Sequence, residues 1–319
     1  MTAKTVFKAM KIPQLVYGTA WKEDATRSLV KQALRAGFRG VDTAAQPKHY
    51  QEDLVGQGVR DAINEGIVKR EDLYVSTLPP RSSKYASLTT TQIQTKYTAP
   101  AGQDPRRMPY KADKSITCQV GDSLTRSLKN LRHVDSGPQT DSTQPYIDCL
   151  ILHSPFPDIK QTKEAWRAME LHVPSFVRTL GISNVYEPDL LREIYAFAST
   201  KPTVLQNRFY PATGYDEEIR AFCAEKGITY QSFWTLTANP ELLRSDVVRD
   251  VAEKAGVRAP VALYSLVLGL GKVSVLNGTT SFERMKEDVE GLRKVREWAE
   301  TEAEPWREAQ EAFRGLIKG

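Results

Sequence analysis

Short apolar runs that end in polar side chains recur along the chain, and between them lie stretches whose apolar positions return every three or four residues. Residues 14–20 form the first run, and over 26–37 the side chains of Leu29, Val30, Ala33 and Leu34 fall on one helical face. The unit repeats. Gly40-Val41 leads into Asp42 and a helix over 50–66, and 119–131 carries Val120, Leu124, Leu128 and Leu131 on one stripe. Residues 146–152, 177–182, 203–207, 227–234 and 272–276 read as later strands. Alternation of strand and helix predicts a parallel sheet. The near-continuous apolarity of 146–152 is what a strand buried on both faces needs. Residues 5–7 and 11–13 suit a short hairpin closing a barrel floor, and 290–319 a charged C-terminal helical segment.

The chain has 319 residues, enough for two ordinary domains or one large barrel. Its 40% hydrophobic and 26% charged residues are those of a soluble globular protein. Net charge is +5, with 44 basic and 39 acidic residues interspersed, which gives no nucleic-acid stripe. Cys118, Cys149 and Cys223 are few and far apart, so neither a disulfide framework nor a metal pattern is expected. The first residues lack a signal-peptide core and no run is long enough to span a membrane. A cytoplasmic monomer is the expectation.

Candidate chemistry sits where the apolar runs end. Asp42 closes one strand, Tyr50 follows it, Lys96 ends Ile93-Gln94-Thr95, and His153 ends Leu150-Ile151-Leu152. Taken alone, Asp42 reads as a helix cap and Tyr50 as its packing partner. Histidines are usually structural, but His153 differs from His133 and His172 in ending a buried strand; His49, beside Tyr50, suits the lining of a cleft. The ordered series, with Leu180-Gly181-Ile182-Ser183-Asn184, resembles the aldo-keto reductase family from about Ile12 to Leu292.

That resemblance implies a single-domain α/β fold, a (β/α)8 TIM barrel, and a nicotinamide cofactor. It implies Asp42, Tyr50, Lys96 and His153 as catalytic residues, with Trp21 walling the substrate pocket. Gly18 and Thr19 would lie beneath the cofactor. Ser183, Asn184 and Gln206 would hold its carboxamide, Phe233 would stack on the ring, and Leu236 would begin the loop along the pyrophosphate. Gly278 and Thr279 stand where many relatives carry Lys-Ser, so the lysine that grips a 2′-phosphate is absent. Arg284 remains, with Glu287 and Asp288 in the adenine region, which favours NADP modestly over NAD.

The third unit departs from the family pattern. Residues 70–75 begin like its third strand, yet Leu78 stands where the lysine belongs and Lys96 arrives late. Removing 75–92, rich in Ser, Thr and Pro, restores the motif; this segment reads as an insertion, and its ends suit a translated intron. Residues 91–96 can themselves supply the strand, pushing the extra residues to the barrel floor. The competing strand, 72–78, would leave the barrel without its lysine. Relatives also place the tyrosine sooner after the aspartate than Tyr50 follows Asp42. Residues 98–116 form a long loop that would flank the substrate cleft; its Arg106, Arg107, Lys111 and Lys114 suit an anionic substrate or, better, a solvated surface. Residues 133–145 read as a surface insertion.

The reaction implied is hydride transfer to an aldehyde or ketone, with Tyr50 giving the proton and His153 orienting the carbonyl. A phenol titrates near ~10, and Lys96 is expected to lower that value. Two other readings stay open: a cofactor-binding barrel without useful catalysis, acting as a redox sensor or scaffold, and an unrelated phosphate-handling barrel enzyme such as an isomerase.

Overall fold

The computed structural model describes residues 13–69, 92–133 and 145–318. The expected floor hairpin, the competing third strand at 72–78, and most of the insertions at 75–92 and 133–145 lie outside the described residues. Eight parallel strands close into a barrel in chain order. They are β1 (Leu15–Gly18), β2 (Gly40–Asp42), β3 (Gln92–Tyr97), β4 (Ile147–Leu152), β5 (Val177–Ser183), β6 (Pro202–Arg208), β7 (Thr229–Phe233) and β8 (Val273–Asn277). The surrounding helices are α1 (Thr26–Ala36), α2 (Glu52–Asn64), α3 (Ile116–Asn130), α4 (Ile159–Glu170), α5 (Pro188–Phe197), α6 (Glu217–Lys226), α7 (Pro240–Arg244), α8 (Asp246–Lys254), α9 (Ala259–Leu268), α10 (Phe282–Thr301) and α11 (Ala303–Leu316).

The third strand is therefore the late one. Gly40, Val41 and Asp42 pair with Gln92, Ile93 and Gln94, and Lys96 pairs with Ile151 of β4. Side chains alternate along a strand, so Gln94 and Lys96 enter the barrel while Thr95 and Tyr97 meet the helices, where they bond Glu52 of α2 and Gln119 of α3. The same alternation fills the barrel interior with Cys149, Ile151 and Val204. Beside these apolar side chains the interior is polar, with Gln94 in register with Cys149 and Lys96 with Ile151.

The helices bury the faces their periodicity assigns: Leu29, Val30, Ala33 and Leu34 on α1, Val120 and Leu124 on α3. Helix α3 starts earlier than the apolar stripe suggests because the Ser115 side chain accepts from the Cys118 N–H, capping it. Gly56 lets α2 close on α3, since a Cβ there would stand 1.9 Å from the Asn130 carbonyl oxygen. Helices α10 and α11 form the charged C-terminal segment, and α11 packs on α8, α9 and α10 with Phe313 fully buried. Among the described residues no helix is long and apolar enough to cross a membrane.

Candidate active site

Asp42 ends β2 and Lys96 stands near the end of β3, both almost wholly buried. The Lys96 ammonium donates to Asp42 Oδ1 at 2.7 Å, Asp42 Oδ2 at 2.6 Å and the Thr43 carbonyl at 2.9 Å. Those three bonds use every proton it has. Asp42 Oδ1 also accepts from Gln94 Nε2 and Gln206 Nε2, and both amides bond Gln231 Oε1. A polar floor of three glutamines thus spreads the charge of a buried carboxylate that would otherwise be costly. Burial lowers the pKa of Lys96, and Asp42 pushes it back up.

Tyr50 precedes α2 and lies across this pair: Lys96 Nζ stands 5.1 Å from its ring centroid. Burial, reinforced by the Asp42 charge, raises the phenol above its ordinary value. This reverses the expected lowering by Lys96, because burial outweighs any pull towards the phenolate. At neutral pH the phenol keeps its proton.

The longer path from Asp42 to Tyr50 is held by a reciprocal clasp. Gln46 Nε2 donates to the Gly102 carbonyl and Gln103 Nε2 to the Ala45 carbonyl, while the Tyr50 N–H donates to the Gln46 carbonyl. Tyr110 and Gln103 donate to the Thr98 carbonyl, so the loop at 98–115 is pinned from within. Its Arg106, Arg107, Lys111 and Lys114 are exposed, and Lys114 pairs with Asp122. They form a solvated surface.

His153 follows β4, its ring centroid 6.2 Å from that of Tyr50. Its backbone donates to the Tyr97 carbonyl and accepts from Asn184 Nδ2. Burial, then the Lys96 charge, pushes the imidazole down to about 3, so it is a neutral group at physiological pH. Trp21 and His49 stack at 3.8 Å between ring centroids, and the Trp21 N–H donates to the His49 carbonyl. Trp21 is 64% exposed. Asp42, Lys96, Tyr50 and His153 come together beside this pair of rings.

The cofactor candidates fare unevenly. Ser183 Oγ donates to the Gln206 carbonyl and Asn184 Oδ1 accepts from Tyr186, so both are oriented beside one another. Gln206 turns its amide nitrogen to Asp42, and its side-chain oxygen has no hydrogen-bond partner among the described residues. Phe233 is half-buried at the top of β7, edge-on to Trp234; Leu236 packs on the core. Thr19 braces Asp42 by donating twice to its carbonyl, from Oγ1 and from the backbone. Gly18 has room above it, its nearest neighbour being 3.7 Å from where a Cβ would stand.

The turn between β8 and α10 is built for an anion in part. Tyr17 donates to the Thr279 carbonyl, and Ser281 caps α10, whose N-terminal dipole favours negative charge. Arg284 is exposed, and its guanidinium has no hydrogen-bond or ion-pair partner among the described residues. The lysine missing from this turn has a neighbour that sequence reading missed: Lys22, beside Trp21, reaches the Gly278 carbonyl. Glu287 and Asp288 have partners within the fold. Both pair with Arg258, and Asp288, buried, also accepts from Asn277, so it braces β8 against α10. A nicotinamide dinucleotide fits these donors: amide and hydroxyl groups over the barrel, cations and a helix N-terminus at its edge.

The aldo/keto reductase family model matches residues 14–301. An NADP-dependent D-sorbitol-6-phosphate dehydrogenase of Malus domestica is 26% identical across 92% of this chain and 89% of its own. A D-galacturonate reductase of Fragaria ananassa is 25% identical across 84% and 76%. The structure of an aldose reductase from Schistosoma japonicum superposes with a TM-score of 0.65 over 90% of this chain and 88% of its own, at 20% identity.

Proposed function

This chain belongs to the aldo/keto reductase family, and on that premise we propose that it reduces an aldehyde or ketone to the alcohol with NADPH, Tyr50 giving the proton. The observation that carries the proposal is the buried Asp42–Lys96 pair lying under the Tyr50 ring with neutral His153 beside it. When bound, the nicotinamide supplies the hydride. Tyr50 donates its phenolic proton as negative charge gathers on the carbonyl oxygen. Its raised pKa keeps that proton in place until then. Lys96 opposes the charge left on the ring, and Asp42 holds Lys96. His153 donates to the same oxygen and orients it; being neutral, it offers a donor without competing as an acid.

Ser183, Asn184 and the Gln206 oxygen would hold the carboxamide, with Phe233 against the ring and Leu236 at the start of the pyrophosphate loop. Lys22, Arg284 and the α10 N-terminus favour a phosphate-rich partner, and NADP over NAD. The printed cofactor of the Malus relative points the same way. Arg284→Ala is expected to weaken NADPH by roughly tenfold or more and NADH much less; equal loss for both, measured as KM, would show that Arg284 does not read the 2′-phosphate. The lysine in the site supports catalysis over the scaffold reading. Trp21 and His49 suit a carbonyl of moderate size, and three free cysteines suit a reducing cytoplasm.

The pH dependence has a definite sign. His153 is pushed down to about 3 in the folded chain against 6.5 when free, so kcat/KM should show no histidine ionisation between about 5 and 8. Below about 6.5 the unfolded chain takes up a proton that the folded chain refuses until about pH 3, so stability contributed by neutral His153 is lost as pH falls through that window. A pH–rate profile with an acid limb near the ordinary histidine value, absent in His153→Gln, would contradict the assignment.

A further inference from the structure

A neutral imidazole can carry its one proton on either nitrogen, and only one choice leaves a donor for the substrate. His153 Nδ1 lies 2.7 Å from Thr98 Oγ1. Thr98 is 5% exposed, and its hydroxyl has no second partner among the described residues. Two arrangements fit that distance. If Nδ1 carried the hydrogen and donated, the hydroxyl hydrogen would be buried without an acceptor. If the hydroxyl donates to a bare Nδ1, both groups are satisfied and the ring's proton must sit on Nε2.

The backbone around this contact is fixed on both sides. The Thr98 carbonyl accepts from Tyr110 and Gln103, and Gln103 reaches on to the Ala45 carbonyl in the clasp that carries Tyr50. His153 is held at its own N–H by Tyr97 and at its carbonyl by Asn184. The hydroxyl and the ring therefore meet at a set distance rather than by a chance rotamer.

We propose that Thr98 is a positioning residue: by donating to Nδ1 it holds His153 as the Nε2–H tautomer, keeping the one donor of the ring available to the carbonyl oxygen of the substrate. This rests on the reading of His153 as the carbonyl's second donor. Thr98 touches no reacting atom and acts only through the imidazole.

The test is nitrogen NMR of the full chain labelled at its four histidines, with the His153 signals assigned by their loss in His153→Gln. The wild type should show a protonated Nε2 and a bare, hydrogen-bonded Nδ1. Thr98→Val, close in shape but without the hydroxyl, should give mixed tautomers and a fall in kcat/KM of about tenfold, with NADPH affinity unchanged; Thr98→Ser should restore both. A proton on Nδ1 in the wild type overturns the proposal, and needs no variant to fold. So does Thr98→Val with unchanged signals. If the signals change with Thr98→Val but turnover does not, the tautomer lock stands and the reading of His153 as a donor in the reaction falls.

Discussion

Replacing Tyr50 with Phe is expected to lower turnover by roughly 10²- to 10⁴-fold, the usual cost of losing a general acid, and to leave cofactor affinity unchanged. The ring keeps its place over Lys96 and beside His153, so only the proton is lost. Stopped-flow mixing separates the two effects: cofactor fluorescence reports binding, and its oxidation reports chemistry. Equal turnover in the two proteins would move the acid to another residue. A fall in affinity of the same size as the fall in rate would mean that Tyr50 serves binding instead.

Lys96→Met is expected to cost both stability and activity. It removes one partner of an ion pair whose side chains are 1% and 2% exposed, leaving the Asp42 carboxylate buried with only amide donors. Breaking such a pair typically costs about 3–5 kcal/mol, measurable by urea unfolding. Asp42→Asn with Lys96→Met removes both charges and should recover much of that stability, because the glutamine floor can still bond the Asn. Turnover should stay low in the double variant, since nothing remains to oppose the phenolate. Recovery of activity with stability would show that the pair is only structural.

The strand that leads to His153 was legible because a strand buried on both faces is apolar nearly throughout, and a polar residue at its end stands out. Late placement of β3 rested on the resemblance, because residues 92–97 are mostly polar and only a strand there brings a lysine to the barrel. What escaped is tertiary. Lys22 looks like any surface lysine until β1 and β8 pair, and Gln94 and Gln231 meet only once the barrel closes. Thr98 is a short polar residue in a polar loop, with no periodicity to mark it. The partners of Asp288 were likewise hidden: only the closed barrel brings it against Arg258 and Asn277. The direction of the Tyr50 shift was also beyond reach, because it depends first on how deeply the fold buries the phenol and then on how close Asp42 comes.

The measurement that bears most directly on the account is NADPH consumption by the full chain, residues 75–92 included, against an aromatic aldehyde. The account predicts turnover that Tyr50→Phe abolishes, since β3 already brings Lys96 to within 2.6 Å of Asp42. NADPH binding with no consumption against any simple aldehyde or ketone would contradict it.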